Sequence, residues 1–345
     1  VENIIFRSQK NLISGYKKIV DVTFDILNKH YSIISLCEDN EQNQIHKTNN
    51  LLNRNNFFSN ELFISPLSSD KINSFSINLP QKENIILLTM WESDILPRFA
   101  VNELNENISQ VLVPCAWNLE TFKKCKVNNV KLFNLFVDDR YFYYKPKLDL
   151  KKFTFVAGAN LQNYSSSDSR KNIDFIISCF LKAFKQFNDV ELVIKASGCN
   201  KSIFPNYMTD KIKFIFDSLT DLQMSDFLSS GDVFVSASKS EGWGFFQIES
   251  LAVGRPVVTV NYGGIKEFCS SENSFFIDYE EELACGFLGK GGGSWARLNE
   301  TSLIENMLYC YYNKDKIRNS WKLYSDSVLP KFNLANYEKK LISVL

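Results

Sequence analysis

"SKSEGWGFFQIESLAVGRPVV", residues 238–258, decides how this chain is read. Phe245, Ile248, Ala252 and Val253 recur at helical spacing, Gly254 supplies a left-handed stop and Pro256 forbids continuation. Before this helix "DVFVSAS" reads as a buried strand, and after it "PVVTV" reads as another. Strand, loop, helix, strand is the layout in which parallel sheets set ligands at strand ends.

Glu249 stands oddly in that unit. It lies between Phe245 and Val253 on the stripe that faces the sheet. Side chains lean toward a helix N-terminus, so its carboxylate is expected to point back at the "EGWGFF" loop, which begins with a second carboxylate, Glu241. A buried carboxylate needs partners. It could complement the helix dipole, or it could accept hydrogen bonds from paired hydroxyls of a ligand lying across the helix N-terminus.

The chain has 345 residues, enough for two domains with sizeable cores. Lysine plus arginine and aspartate plus glutamate each total 39, so no net field favours nucleic acid, and no nucleic-acid partner is expected. Short basic clusters such as "YKKI" and "FKKCK" could touch phosphates or lipid headgroups, although solvated faces account for most such clusters. No apolar run spans a membrane and no signal peptide is readable. The expected location is cytoplasmic, with peripheral membrane contact allowed for. The eight cysteines form no C-x-x-C pair, so neither a zinc knuckle nor a redox motif is signalled. The histidines are two, His30 and His46, which disfavours a histidine-centred hydrolase or metalloenzyme.

Strand and helix signals alternate along almost the whole chain, predicting an α/β fold with parallel sheets. In the first half "NIIF", "YSIISL", "ELFIS", "NIILLT", "QVLVP" and "VKLFNL" read as strands, with helices at "YKKIVDVTFDILNKH" and "WNLETFKKCK". Residues 40–60, rich in asparagine and glutamine, read as a loop. Around "VDDRYFYYKPKLDLKK" the pattern lapses, and Pro146 marks a linker. The second half restarts at "FTFVAG" and continues through a long helix, "ELVIKAS", "KIKFIF", "DLQMSDFLSS" and the unit quoted above. After about residue 300 the chain reads as helical, with a break at "VLPKFN" before "LANYEKKLISVL". Two doubly wound domains would face each other across a cleft.

A second signal lies in "SSSDSRKNIDFIISCFLKAFKQF". Ile173, Ile176, Ile177, Phe180, Phe184 and Phe187 form the buried stripe of a helix, for which the serines and Asp168 offer N-caps. Arg170 and Lys171 fall in or next to its first turn, where positive charge opposes the dipole at a cost of roughly 0.3–1 kcal/mol each. A bound phosphate would offset that cost; an exposed pair simply tolerated is the plainer alternative. Lys195, ending "ELVIK", would be delivered toward the same cleft edge. Cations at one helix start, backbone donors at a glycine loop and a hydroxyl-binding carboxylate together complement a diphosphate flanked by polyols, the composition of a nucleotide sugar. The loop is neither G-x-G-x-x-G nor a P-loop, which disfavours a dinucleotide oxidoreductase or a P-loop enzyme.

"EGWGFFQIESLAVGRPVV" resembles the E-x7-E signature of retaining GT-B glycosyltransferases, family four. "TMWESDILPRF", "VLVPCAWNLETF", "SRKNIDFIISCFLKAF", "ELVIKAS" and "DVFVSAS" occur in the order and at about the spacing of that family, covering roughly residues 85–325. The resemblance implies two Rossmann-like domains: 1–146 on the acceptor side, 147–330 binding the nucleotide sugar, and a C-terminal helix, 331–345, packing back on the first. It implies that Glu249 accepts hydrogen bonds from the ribose and that Glu241 holds the donor hexose. The loop Gly242, Trp243, Gly244, Phe245 and Phe246 would contact sugar and phosphates, chiefly through backbone amides. Arg170 and Lys171 would neutralise the leaving diphosphate, Gly15 in "SGYKK" would let backbone approach it, and Lys195 would lend further charge. Trp91, Glu92, Ser93 and Asp94 would form the acceptor-side wall.

The implied activity is transfer of a hexose from a GDP- or UDP-sugar to a hydroxyl of a glycan or other acceptor, without metal or cofactor. A GT-B-type sugar-nucleotide epimerase and a non-catalytic nucleotide-sugar-binding relative are the alternatives. Three departures from the family pattern stand out. Asn172 occupies a position where glycine is common, "VAGANLQ" lacks a second basic residue, and no histidine stands near "LLTMWESD". "VDD" at 137–139 lies in the linker and is not read as a metal-binding D-x-D.

Overall fold

The computed structural model describes residues 3–9, 14–38, 60–67, 85–147, 149–161, 170–198, 209–286 and 292–345. The expected loop at 40–60 therefore falls almost wholly outside the described residues, as do the serines and Asp168 proposed as caps. Six strands of the first half, β1 (Asn3–Gln9), β2 (Ser32–Glu38), β3 (Asn60–Ile64), β4 (Ile85–Leu88), β5 (Gln110–Val113) and β6 (Val130–Leu132), form one parallel sheet in the order β2-β1-β3-β4-β5-β6. Helices α1 (Ser14–His30), α2 (Arg98–Asn107) and α3 (Ala116–Lys124) connect them. β4 is buried at every position, as a strand covered on both faces must be.

The second sheet is also parallel, with strands β7 (Phe153–Asn160), β8 (Val190–Ser197), β9 (Ile212–Ile215), β10 (Val233–Val235), β11 (Val257–Val260) and β12 (Ser274–Ile277). Their order, β12-β11-β10-β7-β8-β9, reverses direction between β7 and β10. That reversal is the switch point where doubly wound sheets open a crevice. Helices α4 (Ile173–Ala183), α5 (Asp221–Ser230) and α6 (Phe245–Ala252) cross between these strands. An antiparallel hairpin, β13 (Tyr279–Leu283) with β14 (Ser294–Leu298), follows, and then four helices: α7 (Glu300–Tyr312), α8 (Lys314–Asn319), α9 (Trp321–Phe332) and α10 (Leu334–Val344).

The expected break at "VLPKFN" falls later than Pro330. That proline lies inside α9, and the chain turns instead at Asn333, whose side chain accepts from the Asn336 backbone and caps α10. From there α10 packs on the first lobe. The Tyr337 hydroxyl meets Thr23 Oγ1 of α1 at 2.7 Å, its ring lies against Phe133 and Phe136, and Glu338 meets the His30 ring at 2.6 Å. The linker is held as firmly. Asp232, fully buried, accepts from Lys147 (2.6 Å), the Thr154 backbone (2.7 Å) and Arg318 (2.8 Å). Arg255, also fully buried, donates to the carbonyls of Gly231, Val253, Lys145 and Ser229 and lies over the Trp321 ring at 4.0 Å. Burial presses its guanidinium down to about 10. One continuous apolar core runs through both lobes, joined where Phe136 meets Phe245.

Tyr337→Phe is expected to lower stability by about 1–3 kcal/mol, because Thr23 would keep a buried hydroxyl without its partner. Urea unfolding of the two proteins checks this; equal midpoints would mean that the hydroxyl pair contributes nothing to holding α10 in place.

Candidate active site

The two loops that leave the switch point bring the expected charges together. Arg170 and Lys171 end the connection from β7, and Glu241 lies in the connection from β10. The loops are joined by backbone, the Lys239 amide donating to the Arg170 carbonyl at 2.9 Å. Arg170 Nη1 reaches Glu241 Oε2 at 3.1 Å and also donates to the Ser240 carbonyl, while its Nη2 reaches Glu92 Oε1 at 3.0 Å. Lys171 Nζ meets Glu241 Oε1 at 2.5 Å. Two cations from one loop thus stand against one carboxylate from each lobe.

Asn172 explains one departure from the family pattern. Its φ is 52° and ψ 41°, the left-handed region that glycine enters freely and asparagine tolerates best among the other residues. Because Asn172 is the N-cap, α4 begins at Ile173, and Arg170 and Lys171 lie just ahead of the first turn.

Burial and charge compete at these groups. For Glu241 burial pushes the carboxyl up, but Lys171 and Arg170 outweigh it and bring the group down to about 2. For Glu92 burial dominates, with Arg170 opposing and Glu241 reinforcing, and its carboxyl is raised. Lys171 is lowered, by burial first and then by Arg170 beside it.

Between Glu241 and α6 the backbone is tightly packed. The Gly264 amide donates to the Glu241 carbonyl at 2.6 Å, and a Cβ added at Gly264 would lie 2.2 Å from the Gly242 carbonyl oxygen. Gly244 caps α6 with φ 97°. Trp243 turns away from the loop into the core, against Phe268 and Phe332, so its side chain is structural. Gly242 packs on Met90 of the first lobe, and Phe245 and Phe246 pack on Gly15 and Gly158. Lys195, 2% exposed, pairs in register with Gly158 on the neighbouring strand.

Glu249 is 3% exposed and faces the first lobe. Its carboxylate is paired with Lys18 of α1, which also reaches Asp221 Oδ1 at 3.0 Å. Sequence reasoning passed over Lys18 as part of a basic cluster; the available signal was its place one helical turn after Gly15.

The expected acceptor wall divides. Trp91 is turned inward, its indole Nε1 donating to Ser93 Oγ (2.9 Å) and the Ile95 carbonyl (2.8 Å), while Ser93, also buried, lies against Gly293 at the β13–β14 hairpin of the second lobe. Glu92 and Asp94 face the other lobe. Asp94 accepts from the Ser294 backbone at 2.6 Å, fastening the β13–β14 hairpin across to the first lobe. Glu267 makes a further crossing, accepting from the Ala116 amide (2.8 Å) and from Asn134 (2.9 Å). The "VDD" aspartates are structural: Asp138 pairs with Arg140 at 2.7 Å, and Asp139 accepts from the Leu334 amide at 3.0 Å.

Residues 160–287 match the family model described as Glycosyl transferases group 1. This stretch is similar to group 1 glycosyltransferases, and the two-sheet frame is the GT-B fold. Sucrose-phosphate synthase from Thermosynechococcus elongatus superposes with a TM-score of 0.73 at 11% identity, over 99% of this chain and 98% of that one. S. aureus TarM, solved with fondaparinux, alpha-GlcNAc-glycerol and UDP, gives 0.60 at 17% identity, over 82% of this chain and 55% of its own. A curated relative is the GtfA subunit of a UDP-N-acetylglucosamine--peptide N-acetylglucosaminyltransferase from Limosilactobacillus reuteri subsp. suis, 26% identical over 144 residues, 40% of this chain. The matched stretch spans about a quarter of that relative, 26% of its length.

The depressed Glu241 carboxyl carries a pH signature. A group ordinarily near 4.5 and lowered to about 2 contributes stability that is full above 4.5 and lost as pH falls toward 2. In acid titrations of stability the parent should fall more steeply than Glu241→Gln through that window, and parallel curves would show that the cluster adds no stability.

Proposed function

We propose that this protein transfers a hexosyl group from a nucleotide diphosphate sugar to a hydroxyl of a glycan or other acceptor, with retention at the anomeric carbon. The observation that carries the reading is the meeting of Arg170 and Lys171 with Glu241 at the switch point, beside a glycine loop that opens a helix. As the glycosidic bond breaks, its electron pair passes to the diphosphate oxygen. Arg170, Lys171 and the backbone amides ahead of α6 oppose that growing charge, which is electrostatic preorganisation. Glu92 and Glu241 already balance the two cations, so an incoming diphosphate divides Arg170 and Lys171 with them.

In this reading Glu241 orients the donor hexose, and Glu249 accepts hydrogen bonds from the ribose. The acceptor hydroxyl loses its proton to the departing phosphate, so no dedicated protein base is required. Arg170 and Lys171 take the place of a metal ion, and no cofactor is assigned. UDP in the complexes of TarM and of pneumococcal GtfA, the latter similar to this chain at 14% identity with a TM-score of 0.59, favours a UDP-sugar over a GDP-sugar.

UDP is expected to raise the melting temperature in a thermal-shift screen of nucleoside diphosphates and their sugars. Lys171→Ala should lower kcat about 100-fold with a melting temperature near the parent's, in keeping with loss of one charge-stabilising donor. No response to any nucleotide, or full turnover in Lys171→Ala, would sink the proposal.

A further inference from the structure

Lys18 is a cation that the expected machinery leaves unexplained. It rises from α1 of the first lobe, and its side chain is 11% exposed, against 4% for the Glu249 side chain it meets. The ammonium has three donors. One goes to Glu249 Oε1 and one to Asp221 Oδ1 at 3.0 Å, and the Phe142 ring centre lies 4.2 Å away. Among the described residues Lys18 provides the one hydrogen bond to the Glu249 carboxylate, at Oε1, leaving Oε2 as an acceptor.

We propose that Lys18 is a positioning residue of the nucleotide-sugar site, which holds the Glu249 carboxylate charged and aimed at the ribose, so that the pentose-binding end of the site is built from both lobes. This rests on the reading of Glu249 as the ribose acceptor. The charge environment requires such a partner. Asp221 at the start of α5 and Asp138 in the segment after β6 both place negative charge toward Glu249, and Lys18 is the opposing cation. Burial raises the Glu249 carboxyl and Lys18 opposes the rise. Lys18 stays protonated: burial lowers it, but Glu249 and Asp221 together raise it above its ordinary value. A protonated Glu249 would offer ribose hydroxyls a weaker acceptor. Donor binding therefore weakens as pH falls through the raised Glu249 value, and loss of Lys18 moves that weakening to higher pH.

Titration calorimetry of the whole chain with UDP, from weakly acidic to weakly basic pH, tests this. Lys18→Met keeps an unbranched side chain of similar length beside Phe142 while removing the ammonium that lies over its ring. It should bind UDP at least about 10-fold more weakly at neutral pH, the size of one hydrogen bond to a charged group. Its affinity should also decline from a higher pH than the parent's. A Lys18→Met protein that is less stable yet matches the parent in affinity and pH profile would make Lys18 a plain inter-lobe clamp and overturn the proposal. Should Lys18→Met fail to fold, the double variant Lys18→Met with Glu249→Gln is expected to fold, because both charges leave together, and to bind UDP as Glu249→Gln does. Failure of the double variant as well would mean that Lys18 serves something other than Glu249, which also overturns it. A parent that binds no nucleotide defeats the donor-site reading itself; a parent that binds, with an unchanged Lys18→Met, defeats this assignment alone.

Discussion

The arrangement depends on one constraint: charges taken out of water need opposite charges beside them. The second lobe buries Glu249 in a helix and sets Arg170 and Lys171 ahead of another. Each group finds compensation partly in the first lobe. Lys18 answers Glu249, and Glu92 answers Arg170. The meeting of the lobes is therefore an electrostatic joint, and its two ends are held by different chemistry. A guanidinium shared by Glu92 and Glu241 closes one end, and an ammonium wedged between Glu249 and Asp221 closes the other.

Close packing holds those charges in register. Gly264 leaves no room for a side chain against Gly242, so the backbone between Glu241 and α6 has one course. Asn172 takes the left-handed turn that brings Arg170 and Lys171 out of the helix and onto Glu241. Behind both loops, Arg255 and Asp232 tie the linker to the second sheet, and α10 returns to close over α1. The hairpin contributes from the far side. Its Ser294 amide reaches Asp94, which turns part of the expected acceptor wall into a crossing between lobes.

Much of this was legible residue by residue. The stripe Ile173, Ile176, Ile177 and Phe180 is buried as periodicity demanded, and Gly254 has φ 92° where a helix stop was expected. The helix Arg98–Asn107 escaped notice because it is largely polar, burying Ala100, Leu104 and Asn107. The hairpin escaped because "YEEEL" carries charge on both faces and lacks the alternation of a half-buried strand. Segment position says nothing of which way a side chain turns, and Trp91 turns inward while its neighbour Ser93 meets Gly293 of the second lobe.

The amino-acid sequence alone determined the order of the sheet strands and of the strongly apolar helices, the stop at Gly254, and which loops carry charge. Those features follow from periodicity and backbone sterics, which act over a few residues. Only the tertiary structure decided the partners. Lys18 and Glu249 are 231 positions apart, so nothing in local pattern links them. Their pairing, like that of Arg170 with Glu92, arises from two separately wound sheets facing each other, where each buried charge takes the nearest opposite one.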